Sequence, residues 1–196
     1  MSKRILMISG SNGAGKTTIA SSLIPSLPFL YEFINADEIA RGLAPLHPET
    51  VAISASKLMI TRLRELLEAR KSFAFETTAA GTNYLKYLKE AKERGYQVGL
   101  VFLWVSSPAQ AIERVRNRVI LGGHHVPAET VRRRYYAGLK NLLQHYLPLA
   151  DFAIILDNSL PLDVSDRIIA SKNVEYPLKV ENKTVWKKIE RTAAHG

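Results

Sequence analysis

Apolar residues in this chain fall into short runs separated by segments of helical period. The runs Arg4 to Ile8, Glu32 to Asn35, Ser72 to Phe75, Gln97 to Val105 and Phe152 to Leu156 have the length and continuity of strands buried on both faces. Helical patterns lie between them: about Thr17 to Ile24, Val51 to Arg70, Thr82 to Arg94, Pro108 to about Leu121, and Pro127 to Tyr146. In the second of these, Leu58, Leu63, Leu66 and Leu67 read as an apolar stripe with Arg and Glu between them. Strand-helix alternation of this kind predicts an α/β fold of three layers around a parallel five-stranded sheet, with ligands bound beyond the carboxyl ends of the strands. The stretch Asp166 to Val180 reads as a two-stranded excursion, and Thr184 to Arg191 as a closing helix carrying Trp186 and Ile189. The chain is expected to form a single domain over 1–196, with a C-terminal extension from about 160.

The first strand runs directly into Gly10-Ser11-Asn12-Gly13-Ala14-Gly15-Lys16-Thr17, which satisfies G-x-x-x-x-G-K-[ST], and a helical pattern begins where that segment ends. Glycines and small residues let backbone N–H groups turn inward around phosphate oxygens, and the following helix points its positive end at the same place. Residues 10–17 together with Thr18 are thus expected to hold a nucleoside triphosphate, ATP or GTP. Lys16 reaches the β- and γ-phosphates in this reading, and the Thr17 hydroxyl ligates Mg2+. The expected architecture becomes that of a P-loop NTPase.

Such a loop says that a triphosphate binds; the acceptor must be read elsewhere. Asp37 stands just past the second strand, where a carboxylate can take the proton of a hydroxyl attacking the γ-phosphate; it can equally cap a helix beginning at Glu38. The third strand ends in Glu76-Thr77-Thr78, a carboxylate and two hydroxyls at the same sheet edge, able to meet magnesium through water, to bond a hydroxylated acceptor, or merely to complete a turn. Asp157-Asn158-Ser159 follows the fifth strand and either approaches the nucleotide or forms an ordinary polar turn.

Charge sharpens this picture. Lys plus Arg number 27 against 18 Asp plus Glu, a net charge of +9, and six arginines (114, 116, 118, 132, 133, 134) fall in one short region around Gly122-Gly123-His124-His125. A helical lid over about 108–134 that stabilises a transferring phosphoryl group fits that cluster. Arg114 and Arg118, four apart on one helix face, are the better candidates; the consecutive 132–134 cannot all face one ligand. There is no cysteine, which removes disulfides, thiol catalysis and Cys-ligated zinc, and no apolar run long enough to span a membrane. No export signal is visible, so a cytoplasmic setting is expected.

The P-loop, NADEIARGL, FETTAAG, RVRNRVILGGHHVP and IILDNS, in that order from Gly10 to about Ser159, resemble the zeta-toxin family of P-loop kinases, especially its short members. The resemblance implies transfer of the γ-phosphate of ATP or GTP to a hydroxyl of a nucleotide sugar, UDP-N-acetylglucosamine, and a protein antitoxin as partner. It implies Lys16 as the phosphate-binding lysine and Asp37 as base. Glu76, Thr77 and Thr78 form the acceptor edge, and Arg114 or Arg118 is the lid arginine. His124 aligns near the family's second lid arginine, a departure, and the longer toxins have further segments around the sugar nucleotide that this chain lacks. Two other classes compete. A nucleic-acid-binding or polynucleotide-end-modifying ATPase would use the positive charge, but no interleaved aromatic and basic pattern accompanies it. An NTP-driven switch is the third.

Overall fold

The computed structural model describes residues 3–27, 32–123, 125–159 and 167–195. Strands β1 (Arg4–Gly10), β2 (Phe33–Ile34), β3 (Phe73–Thr77), β4 (Gln97–Trp104) and β5 (Phe152–Asp157) are parallel; β6 (Ile168–Lys172) pairs antiparallel with β5, and β7 (Lys179–Val180) pairs antiparallel with β6. The sheet order is β2-β3-β1-β4-β5-β6-β7. The sheet therefore has seven strands among the described residues rather than five. The extra pair is the excursion expected after Asp166: hairpin strands extend an open edge by local hydrogen bonds, without the helical crossover that a parallel strand needs.

Because β1 lies between β3 and β4, the chain leaves β1 in one direction and returns on its other side. The carboxyl end of β1 is thus a switch point, where the connecting segments part and leave a crevice. Helices α1 (Lys16–Leu23), α2 (Ala36–Leu43), α3 (Ala52–Glu68), α4 (Leu85–Glu93), α5 (Pro108–Ile120), α6 (Ala128–Asn141), the short α7 (Leu147–Leu149) and α8 (Lys183–His195) complete the layers, with a π-helical turn over Leu142–Tyr146 joining α6 to α7.

The face α3 buries differs from the stripe expected. Ala55, Met59, Leu63, Leu66 and Leu67 are buried, whereas Leu58 is 47% exposed. Steps of four, four and three from position 55 keep to one side of a 3.6-residue helix, and position 58 falls off that line; Met59 does the work assigned to Leu58. Trp186 and Ile189 are buried on α8 as their spacing predicts.

Helix starts follow from local chemistry. Ser107 accepts the Gln110 N–H at 3.1 Å and Pro108 opens α5, while the Asn35 side chain accepts the Asp37 N–H at 2.8 Å and caps α2. Helix α6 is clamped to the loop after β3 at successive turns. A Cβ on Gly138 would stand 2.9 Å from the Thr78 carbonyl, Asn141 donates to the Ala79 carbonyl at 2.9 Å, and the Tyr146 hydroxyl donates to the Gly81 carbonyl.

Candidate functional site

The segment from Gly10 to Gly15 wraps the carboxyl end of β1 and delivers the chain into α1. Two of its glycines are required by geometry. Gly13 has φ +77°, and a Cβ there would stand 2.4 Å from the Ala111 carbonyl; Gly15 has φ +86° and a Cβ would meet the Asn158 amide nitrogen at 2.5 Å. An L side chain at either position meets both a disfavoured backbone and a collision. The loop is therefore packed closely between the start of α5 and the segment after β5.

Lys16 is 7% exposed and Glu76 9% exposed, so the loop's lysine and the carboxylate at the end of β3 are buried together. The Lys16 ammonium donates to the Ser11 carbonyl at 3.0 Å and lies 3.7 Å from Glu76 Oε1. Glu76 Oε2 accepts from the Thr17 hydroxyl and from the Asn35 amide, each at 2.9 Å. Burial pushes the Glu76 carboxyl above its ordinary range, against the pull of Lys16 and the Thr17 hydrogen bond. Burial also lowers the Lys16 ammonium, opposed by Glu76 and Asp37 and reinforced by Arg118 and Arg134. Burial acts on both partners toward neutrality, and each is opposed by the other's charge.

Asn12, Lys16, Asn35, Asp37, Glu76, Thr77, Thr78, Tyr84 and Arg134 line one cleft of ≈ 140 Å³. Because Asn35 is the helix cap, Asp37 is released from the capping role that its position allows, and its carboxylate acts on the charges of both Lys16 and Arg134. Thr77 and Thr78 stand at the same edge; their hydroxyls also accept the N–H groups of Ala79 and Ala80, at 3.3 and 3.5 Å.

The arginines divide. Arg134 donates to the Asn12 side chain at 3.1 Å across the mouth of the phosphate loop, and burial pulls its guanidinium below the ordinary arginine range against the attraction of Asp37. Arg132, two residues away, forms an exposed pair with Glu129, which satisfies the expectation that 132–134 cannot all face one ligand. Arg114 donates to the carbonyls of Asn158, at 2.6 Å, and Ser159, at 3.2 Å, and its Cβ would lie 3.3 Å from one added at Gly13. It thereby ties the segment after β5 to the base of the phosphate loop. Arg118 lies close enough to Lys16 to depress it, and its carbonyl accepts the Gly123 N–H. His124 lies outside the described residues. Two residues that the sequence left among alternatives are given a place: Arg134, one helical step back from the small residue Gly138, lines the cleft, and Asn158 donates its side-chain amide to the Ala14 carbonyl at 2.7 Å and braces the loop from behind.

The oxygen-rich donors suit a hard cation held with phosphates. Thr17 hydroxyl and Glu76 carboxylate are in contact, and among the described residues no group of three His, Cys, Asp or Glu forms a protein cage for a metal. The Ser11 hydroxyl is buried without a partner, as a loop built around an acceptor-rich ligand allows. Among the described residues no helix is long and apolar enough to cross a membrane.

Comparison with known proteins agrees with this geometry. An uncharacterised protein of Haemophilus influenzae is 27% identical over 135 residues, which is 69% of this chain and 94% of its own length. Among solved structures, a chain of the AvrRxo1-ORF1:-ORF2 complex with ATP superposes with TM-score 0.73 at 19% identity over 96% of this chain, which spans 63% of that longer chain. A chain from the PezAT chromosomal toxin-antitoxin system of Streptococcus pneumoniae superposes with TM-score 0.64 at 15% identity, covering 99% of this chain and 85% of that one. At these identities the likeness is one of fold, a P-loop kinase-like α/β architecture. A family model described as AAA domain matches residues 5–142, from the first strand through the phosphate loop to the end of α6, and the chain belongs to that family.

Proposed function

We propose that the protein is a phosphotransferase that moves the γ-phosphate of ATP or GTP onto a hydroxyl of a small molecule. The observation that carries this reading is the convergence of Asp37, Lys16, Glu76 and Arg134 on one cleft at the mouth of the phosphate loop. A switch or motor needs a triphosphate site; it does not need a carboxylate beside the lysine on the acceptor side. Asp37 accepts the proton of the acceptor hydroxyl as its oxygen attacks the γ-phosphorus, and the bond to the β-phosphate oxygen breaks to release the nucleoside diphosphate. Lys16 and Arg134 stabilise the charge spread over the transferring group. Thr17, with Glu76 behind it, would hold Mg2+, which supplies neutralisation of the phosphate oxygens. Arg118 approaches from α5, and Arg114 keeps the loop in shape.

The resemblance to zeta toxins supports a finer reading, with a nucleotide sugar such as UDP-N-acetylglucosamine as acceptor at the Thr77–Thr78 edge and a protein antitoxin as partner. The fold likeness to a chain of a toxin-antitoxin system supports the same direction. The test is incubation with Mg·ATP and a panel of hydroxyl acceptors headed by UDP-N-acetylglucosamine, read by mass, beside Asp37→Asn. The variant is expected to bind nucleotide normally and lose about 10²–10⁴ in transfer rate. ATP hydrolysis with no transfer to any acceptor, equal in both proteins, would remove the kinase reading.

A further inference from the structure

Strands β2 and β3 run in register, Phe33 beside Ala74 and Ile34 beside Phe75, and one step further along both strands sets Asn35 abreast of Glu76. Both side chains are buried. The Asn35 amide is used at both ends: its oxygen accepts the Asp37 N–H at 2.8 Å, and its nitrogen donates to Glu76 Oε2 at 2.9 Å. A helix cap needs only the oxygen, which Ser or Asp would supply equally well. The nitrogen has a separate task.

That task is visible from the other side of Glu76. The same oxygen, Oε2, accepts the Thr17 hydroxyl at 2.9 Å, so Thr17, Glu76, the Asn35 amide and the Asp37 N–H form one continuous chain of hydrogen bonds from the phosphate loop to the first turn of α2. Its bonds are buried or half-buried, where water competes poorly for the donors. Glu76 also has Lys16 3.7 Å from Oε1, and in the proposed reaction that ammonium is drawn to the phosphates. The carboxylate is then left facing Asp37 and Glu38, whose charges act on it. Asn35 and Thr17 are the neutral donors that hold it in place. A hydroxyl whose oxygen turns a lone pair to a cation still has its hydrogen to donate, so Thr17 keeps its bond to Glu76 when the loop is filled.

We infer that Asn35 is a positioning residue that carries occupancy of the phosphate loop to Asp37. Ordering of Thr17 by nucleotide fixes Glu76, Glu76 fixes the Asn35 amide, and the amide fixes the turn that bears the base. The inference rests on the phosphotransfer reading and adds an order to it, nucleotide preparing the base before the acceptor reacts. Such placement governs rate, because about 1 Å of misplacement can cost about a hundredfold.

Two measurements test the chain, the first without any transfer. Amide exchange at Asp37, Glu38 and Ile39 is followed by NMR in the free protein and with the loop filled by a non-hydrolysable Mg·ATP analogue. Filling should slow exchange at this first turn of α2 by about fivefold or more, a coupling of ordinary size. Asn35→Ser keeps an acceptor for the cap and removes the amide nitrogen; in it the slowing should vanish at α2 and persist in the phosphate loop. Asn35→Asp also keeps the cap and should behave alike, so the test survives if one variant fails to fold. No slowing in the parent protein, or the same slowing in the variants, overturns the inference. In the second measurement, kcat for transfer in Asn35→Ser should fall about ten- to a hundredfold with nucleotide affinity little changed. A residue that only capped the helix would leave both kcat and the exchange response in place. Unchanged kcat overturns the inference and keeps the kinase; slowing that is lost in the variants, with no transfer by the parent protein to any acceptor, supports the chain and counts against the kinase.

Discussion

Asn158 offers the sharpest test of how the phosphate loop is held. Its amide is 8% exposed and donates to the Ala14 carbonyl at 2.7 Å, in the middle of the loop and directly behind Gly15. Asn158→Ala leaves that carbonyl buried without its donor, a loss of about 1–3 kcal/mol. In a domain of this size each kcal/mol shifts the melting midpoint by about 2–4 °C, so a fall of roughly 6 °C is expected at the middle of the range. The loop is also less ordered before nucleotide arrives, so nucleotide should bind more weakly and raise the midpoint less. Asn158→Asp is the more severe change, because it turns a carboxylate oxygen toward the Ala14 carbonyl and sets a negative charge beside the phosphates. Thermal unfolding with and without Mg·ATP, together with KM for ATP, reads both effects. Unchanged midpoint and unchanged nucleotide affinity in Asn158→Ala would refute the idea that the segment after β5 braces the loop.

Three other outcomes follow from the same geometry. Arg134→Ala should lower kcat by about a hundredfold or more through loss of a preorganised charge at the transferring group, with ATP affinity changing far less; single-turnover transfer measures it. Leu63→Ala, which opens a cavity at a residue 1% exposed, should cost about 2–5 kcal/mol, while Leu58→Ala, at a residue 47% exposed, should stay within about 0.5 kcal/mol; urea unfolding separates them. Burial pushes the Tyr135 phenol, which donates to the Val105 carbonyl at 2.9 Å, up to about 12 from 10.0. A folded value raised above the unfolded one gives stability that is complete below about pH 10 and lost as pH rises through about 12. Tyr135→Phe should therefore flatten the alkaline loss between those limits, as denaturant unfolding at stepped pH would reveal; an unchanged slope would remove the assignment.

Strands and loop were legible because each rests on a local rule. Continuous apolar runs such as Gln97–Trp104 can only be buried on both faces, and the Gly10–Thr17 spacing has one geometric use. What escaped reading depended on tertiary placement. Leu58 and Met59 are adjacent and both apolar, and only the direction of packing chooses between them. Arg114 and Arg118 share a helix face, yet Arg114 bonds the backbone after β5, a contact across 44 residues of sequence that no spacing reports. Among 132–134, the choice of Arg134 is made by α6 docking through Gly138, so the side chain one turn earlier meets the cleft. The dual reading of Asp37 resolved through its neighbour, since Asn35 takes the cap.

The clamp between α6 and the loop after β3 works as a ruler. Arg134 stands four residues, about 6 Å, from the Gly138 contact, and one inserted residue between them would swing the guanidinium by about 100° around the helix, away from the loop. Chain length between Arg134 and Tyr146 is consequently intolerant of change, and an indel in that span would be felt at the cleft rather than only at the surface.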